Sequence, residues 1–120
     1  MDNKQSTLSW HLVDLKKIEA TACPCGQTRR AFTNVEGAPA SLHIVDVSKD
    51  SVSHYHKIHS EIYYVLEGSG ALELDGETVP VGPGSAVMIP PGVWHRPIGS
   101  FRMLNVSLPV FDPADEVVAK

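Results

Sequence analysis

The side chains best suited to chemistry are two histidines and a glutamate close together in the chain. One residue separates His54 from His56, and on a strand residues at positions i and i+2 point to the same face. Glu61 follows after a gap long enough to turn a corner and start the next strand. Two imidazoles and a carboxylate on one centre form the ligand set of a facial triad, which suits Fe(II) and also Mn, Ni or Zn. The spacing therefore predicts a metal site.

His95 is the candidate fourth ligand. It follows Pro90-Pro91-Gly92-Val93-Trp94, where the prolines fix φ and the glycine permits a tight bend. Such a turn starts a strand with little freedom, as a preorganised ligand requires. A cluster of His54, His56, Glu61 and His95 without metal is the alternative, but a buried carboxylate among three histidines is costly unless a cation compensates it.

These residues also carry a family resemblance. The run His54-x-His56-x4-Glu61-x6-Gly68 resembles the first cupin motif, and Gly84-x5-Pro90-x-Gly92-x2-His95 resembles the second. Two positions depart from the pattern, Ser48 for an opening glycine and Gly99 for a closing asparagine. The resemblance implies a small single-domain cupin, an all-β, jelly-roll-like barrel of two antiparallel sheets. It also implies one divalent metal ion per chain and pairing as a homodimer.

The spacing of turns independently predicts many short strands. Pro and Gly punctuate the chain after residue 35, with apolar or alternating runs between them at 42–47, 62–66, 71–74, 78–81, 86–89 and 103–108. Turns are expected at 67–70 and 98–99, and Asp75-Gly76 marks a hairpin. We expect an N-terminal segment at 1–35 that packs on or across the barrel, the barrel at 36–110, and a short helical or loose tail at 111–120.

The N-terminal segment has two possible conformations. Leu8, Leu12, Leu15 and Ile18 follow helical spacing, but in a β domain such a segment can equally be extended across a barrel edge. Either form could contribute to a dimer contact and cover an exposed sheet edge.

Tyr63 is the candidate catalytic residue, because it shares strand parity with Glu61 and should face the interior. It could transfer a proton, or simply pack in the core with a satisfied hydroxyl. His43 either lines the pocket or is a satisfied core histidine. We expect His59 at a solvent-facing corner, and Cys23 and Cys25 as reduced thiols remote from the metal. The arginines at 29, 30, 96 and 102 could hold an anionic substrate, but we expect most of them to be solvated on the surface.

Composition narrows the class of partner. The 120 residues carry a net charge of −4, which argues against a nucleic-acid partner. No secretory signal or membrane-spanning run is visible, and two cysteines are no disulfide framework, so we expect a cytoplasmic protein.

Two functions remain open at the level of sequence. The first is a metal-dependent enzyme acting on a sugar or small carboxylate by isomerase, dioxygenase, decarboxylase or lyase chemistry, as the family resemblance implies. The alternative is a non-catalytic module that binds or senses a small ligand through the same metal. An acid or base beside the metal would favour the enzyme, and strand parity offers only Tyr63.

Overall fold

The computed structural model describes residues 9–119, and its regular structure is almost entirely β. The strands are β1 (Thr21–Cys23), β2 (Gly26–Ala31), β3 (Ser41–Val47), β4 (His54–His56), β5 (Ser60–Leu74), β6 (Glu77–Val81), β7 (Ala86–Ile89), β8 (His95–Leu108) and β9 (Glu116–Val118). The described residues contain two 3-10 turns, Leu15–Lys17 and Pro113–Asp115, and no α-helix. The predicted all-β class is confirmed.

Strand β8 is the centre of the topology. It pairs antiparallel with β3, β4 and β5, while β5 also pairs with β6 and β7. Outside the predicted barrel range 36–110, β2 extends the sheet beyond β3, and β9 pairs with β4. The chain on both sides of that range therefore contributes strands to the same sheet.

The long ladder between β5 and β8 curls back on itself. Glu61 pairs with Ser107 at one end of the ladder, and Leu74 pairs with His95 at the other. Thirteen extended residues span roughly 43 Å, yet the Glu61 Oε1 and His95 Nε2 atoms are 3.0 Å apart. Only a strongly bent ladder brings these two side chains together.

Glycines permit this bend. The expected turns at 67–70 and 98–99 are wrong, because both segments lie inside the continuous strands β5 and β8. The pairing register shifts between Val65 and Glu67, and Gly70 lies opposite Gly99. A Cβ at Gly70 would overlap the carbonyl oxygen of Ile98, so these glycines allow close approach of strands instead of ending them. Asp75 and Gly76, both at positive φ, do form the predicted hairpin turn.

The core fills the inside of the curled sheet. Inward residues alternate along the strands, and the buried apolar cluster comprises Val45, Val47, Tyr63, Val65, Leu72, Val81, Ile89, Phe101 and Met103. Val45, Tyr63 and Met103 of this cluster also line the cavity that contains His54, His56 and Glu61.

The N-terminal segment does not form the helix that its apolar spacing allowed. Leu8 lies outside the described residues, and of the rest of 8–20 only Leu15–Lys17 is helical, as a single 3-10 turn. Leu12 is 85% exposed, so no packing supports a helix that would be marginal in isolation. The extended alternative fits this segment, and Arg29 Nε fixes it by donating to the Ile18 carbonyl.

None of the described helical segments has the length and apolar character needed to cross a bilayer.

Candidate metal centre

The four predicted ligands converge on one point. His54, His56, Glu61 and His95 each present a ligand atom, and these atoms all lie within 4.8 Å of one another. The Oε1 atom of Glu61 is 2.9 Å from His56 Nε2 and 3.0 Å from His95 Nε2. Such a group of one carboxylate and three imidazoles is able to hold a metal ion.

Backbone contacts fix the strands that carry these side chains. His54 pairs with His95 across β4 and β8, and the amide of Gly92 donates to the His56 carbonyl. The Asp75 amide donates to the Trp94 carbonyl, while Asp75 Oδ1 accepts from the Trp94 amide. The hairpin turn and the proline turn therefore fix the backbone of Trp94, one residue before β8 begins at His95.

Hydrogen bonding around His95 fits a cation at the centre. His95 Nδ1 lies 2.8 Å from the Val93 carbonyl oxygen, which can only accept, so Nδ1 carries a proton. In a neutral ring, Nε2 then presents a lone pair towards Glu61 Oε1, itself an acceptor. His56 Nε2 faces the same oxygen, and its Nδ1 is buried without a partner. The two Nε2 atoms and Glu61 Oε1 would face each other as acceptors. Either a proton on each Nε2 or one metal ion between the two rings and the carboxylate removes this repulsion, and the set of nitrogen and oxygen ligands fits the metal ion.

The local charges and burial shift the pKa values of the candidate ligands. Burial alone would raise the pKa of Glu61, but contacts with His56 and His95 outweigh it and hold that pKa well below its ordinary range. Burial, with His95 nearby, lowers the pKa of His54 to about 4, so this ring is neutral at pH 7. For His56, burial opposes the charged form, but Glu61 outweighs it and raises the pKa.

Three residues of the cluster, His54, His56 and Glu61, line a cavity of about 190 Å³, while His95 is fully buried. Tyr63 also lines this cavity, is 4% exposed, and places its ring centroid 6.1 Å from that of His95. Burial and the negative charge of Glu61 raise the pKa of Tyr63 well above its ordinary value. The phenol is therefore protonated at neutral pH and can act as a hydrogen-bond or proton donor.

Two residues at this site were not predicted, and a third, Arg30, was expected on the surface more than at the site. Asn105 Nδ2 donates to Glu61 Oε2 at 2.7 Å and fixes that carboxylate. Glu116 Oε1 lies 3.7 Å from His54 Nε2. Arg30, expected on the surface, lines the cavity. The inward parity of Asn105 along β8 was the one available signal, since β2 and β9 were not predicted.

The other arginines lie where they were expected, on the outer surface. Arg29 and Arg102 pair with Asp46, and Arg96 pairs with Glu73.

The expected solvent-facing position of His59 is wrong. Its side chain is buried, with Nδ1 3.1 Å from Asp115 Oδ2 and Nε2 3.0 Å from the Val110 carbonyl oxygen. Asp115 also accepts from the amides of Ile58 and His59. The tail folds over the corner between β4 and β5 and anchors it beside His56, a long-range contact with no local sequence signal.

The cysteines are also closer to the site than expected. Both are free, with Sγ atoms 3.4 Å apart, and both line the same cavity as His54 and Glu61. The prediction that they are remote from the candidate metal site is therefore wrong. Their contact lowers the pKa of Cys23 to about 6 and raises that of Cys25.

The titration of His43 should make the stability of the folded protein depend on pH. His43 lines the cavity and is hydrogen-bonded to Ser41, so both of its proposed roles apply. Burial, then the charge of Arg30, lowers its pKa to about 4, while Glu61 acts in the opposite direction. Between pH 6.5 and 4 the unfolded state binds more protons, so His43 should cause stability to fall as pH falls. Denaturant unfolding at pH 7 and at pH 5 would measure the free energy of unfolding. Its decrease between the two pH values should be smaller for His43→Gln than for wild type, and equal decreases would contradict this role of His43.

Comparison with known proteins identifies the family. The profile described as "Cupin domain" matches residues 41–106, more than half of the chain. The chain belongs to the cupin family. The matched cupin range runs from β3 to near the end of β8 and includes the four candidate ligands.

Individual relatives agree with this assignment. The chain is 35% identical over 89 residues to a protein named polyketide synthase CurC from Streptomyces cyaneus, covering 71% of this chain and 58% of that one. A structure from Planctomyces limnophilus is 40% identical, with a TM-score of 0.85 and coverage of 92% and 98%. The polyketide cyclase RemF from Streptomyces resistomycificus is 29% identical, with a TM-score of 0.67 and coverage of 89% of each chain.

The cupin fold of this chain is thus shared by proteins of several activities. The matches include proteins named as dioxygenases, a polyketide cyclase, a nucleoside dehydratase and an ectoine synthase. The chain spans about half the length of the curated relatives it matches.

Proposed function

We propose that this cupin is a metal-dependent enzyme acting on a small polar metabolite. His54, His56, Glu61 and His95 would bind one divalent ion per chain, from among Fe, Mn, Ni and Zn. The observation that carries the proposal is the convergence of these four ligand atoms within 4.8 Å of one another, three of them from residues that line a cavity. When bound, the ion supplies Lewis acidity to a coordinated substrate oxygen.

The chain's own residues have separate roles in this proposal. Asn105 holds the Glu61 carboxylate through its amide, and the Val93 carbonyl holds the His95 ring. Tyr63, protonated and facing the cavity, donates its phenolic proton to negative charge that develops on a substrate oxygen.

Proton transfer next to a carbonyl group is the reaction type that we favour, as in an isomerase or lyase. CurC and RemF, named for polyketide chemistry, motivate this choice over the dioxygenation and decarboxylation also known among cupins. The roles of Tyr63 and Glu61 do not require a redox change at the metal. Two unpaired cysteines agree with a reducing, cytoplasmic location.

Metal loading tests the proposal. The purified chain would be stripped with chelator, dialysed separately against Fe(II), Mn(II), Ni(II) and Zn(II), and its metal content measured. We expect about one equivalent of at least one ion to remain after removal of free metal. If none of the four ions is retained by the folded protein, the proposed enzyme has no metal centre.

We also propose that the functional protein is a homodimer. The outer face of β5 exposes Ile62 (38%), Tyr64 (44%) and Leu66 (38%), next to Met88 of β7 (72%). Such an apolar face is typical of an interface, and residues 8–20 could extend it. Light scattering at micromolar concentration should give a dimer, whereas deletion of residues 1–20 should give a monomer or an aggregate.

A matched pair of variants sharpens the dimer test. Ile62→Asp should shift the protein towards monomer, while Thr78→Asp, exposed on β6, should leave it dimeric. A monomeric wild type would refute the dimer.

A further inference from the structure

Four polar side chains form a continuous row across the barrel interior. Arg30 of β2 pairs with His43 of β3, His43 with Asn105 of β8, and Asn105 with Tyr63 of β5. Residues directly opposite one another share a face of the sheet, and all four line the cavity. This polar row joins the candidate metal cluster, through Asn105 and Glu61, to a guanidinium three strands away.

Among the acidic residues that the structure describes, none forms an ion pair with Arg30 in this cavity. Its Nε is buried without a hydrogen-bond partner among residues 9–119. Its guanidinium carbon lies 4.8 Å from the centre of the Phe111 ring, which fixes its position by cation–π contact. The acids of the cavity wall, Glu61 and Glu116, are associated with the histidine cluster instead. A positioned cation is left to interact with a ligand.

His43 adds a second donor beside Arg30. Ser41 Oγ accepts from the Phe111 amide and lies 2.8 Å from His43 Nε2. In the tautomer in which the Ser41 hydroxyl donates to Nε2, the ring proton of neutral His43 is on Nδ1. Arg30 and His43 then both offer N–H groups at the same end of the polar row.

We propose that Arg30 and His43 form an anion subsite for a substrate carboxylate, with the rest of the substrate extending towards the metal cluster. This inference rests on the proposed function for its metal end but not for anion recognition itself. Arg30 supplies the positive charge that a substrate carboxylate would pair with, at the end of the cavity wall away from Glu61 and Glu116 of the histidine cluster. Val45, Met103 and Phe111 line the cavity between the polar groups, so the substrate is a small carboxylic acid with an apolar body and a second oxygen for the metal.

A pair of matched probes tests the subsite. 4-Hydroxybenzoate carries a carboxylate and a distal oxygen on a flat apolar ring, and 4-hydroxybenzamide has the same shape without the charge. Calorimetric titration into zinc-loaded full chain should show that the carboxylate binds about tenfold or more tightly than the amide. Equal affinities would overturn the subsite.

Substitutions test whether Arg30 is the source of the preference for the carboxylate over the amide. Arg30→Gln should reduce it to less than about twofold, while Arg30→Lys, which keeps the charge, should retain part of it. Arg96→Gln makes the same charge change outside the barrel, where Arg96 pairs with Glu73, and should leave the preference intact. If Arg30→Gln does not fold, complete loss of binding in a folded Arg30→Lys would still argue against a subsite based on charge. A preference that survives in folded Arg30→Gln overturns the assignment.

Two controls separate this inference from the proposed function. Zinc content should be the same in wild type, Arg30→Gln and Arg96→Gln, because Arg30 is not among the convergent ligand atoms. Titration into metal-free protein should still show tighter binding of the carboxylate than of the amide, though with lower affinity for both. Failure of wild type to retain any of the four ions would contradict the metal centre alone, and loss of the carboxylate preference in metal-loaded wild type would contradict the subsite alone.

Discussion

Glu61→Ala is expected to weaken zinc binding at least about 100-fold, beyond the effect of removing an outer-shell partner. Glu61 supplies the single carboxylate of the cluster, and its Oε1 contacts two of the three imidazoles at 2.9 and 3.0 Å. Its loss removes a ligand and the negative charge that offsets the ion. Competition titration with a zinc chelator of known affinity would measure the change.

The same substitution should remove stabilisation by metal. A ligand that binds only the folded state stabilises it by about 4 kcal/mol at 1,000 times its dissociation constant. Zinc should therefore raise the melting temperature of wild type but not of Glu61→Ala. Glu73→Ala provides the control, since Glu73 lies on the same strand and pairs with Arg96 on the outside. Equal zinc affinity and equal zinc-dependent melting in wild type and Glu61→Ala would exclude Glu61 as a ligand.

Tyr63→Phe is expected to lower the turnover rate by on the order of 10²–10⁴, the usual contribution of an acid–base group. The substitution keeps the ring, which packs in the core beside His95, and removes only the hydroxyl. Folding and zinc content should therefore be unchanged. With a carboxylic acid substrate the loss should fall on kcat more than on KM, because Arg30 and the metal would carry binding.

Tyr64→Phe is the matched control for this test. Tyr64 is the next residue of β5, faces outwards and is 44% exposed, so its hydroxyl should not affect the rate. An unchanged rate in Tyr63→Phe would remove Tyr63 from the catalytic residues. That result would favour a module that binds or senses its ligand without catalysis.

Short-range patterns predicted most of the ligand cluster and part of the fold. His54 and His56 are tied by strand parity, and the proline turn before His95 is visible in the sequence. The strand predicted at 86–89 and the Asp75-Gly76 hairpin are confirmed for the same reason. Each depends on residues adjacent in the chain, where side-chain direction and turn chemistry are decided locally.

Long-range register determined what the sequence could not predict. Gly70 and Gly99 look like turn residues until their strands are known to lie opposite each other. Arg30 resembles a surface residue until β2 is placed beside β3. His59 becomes buried only because Asp115, far along the chain, folds onto it. Strand pairing between distant segments decides each of these positions.

The most direct test of the metal centre is anomalous diffraction from crystals of the metal-loaded protein, with data on both sides of the absorption edge. We expect one anomalous peak per chain at coordination distance, about 2.0–2.2 Å for zinc, from nitrogens of His54, His56 and His95 and an oxygen of Glu61. The peak should vanish in Glu61→Ala crystals prepared at limiting zinc. A peak at the Cys23–Cys25 pair or beside His59 and Asp115, with none at the four predicted ligands, would contradict the account.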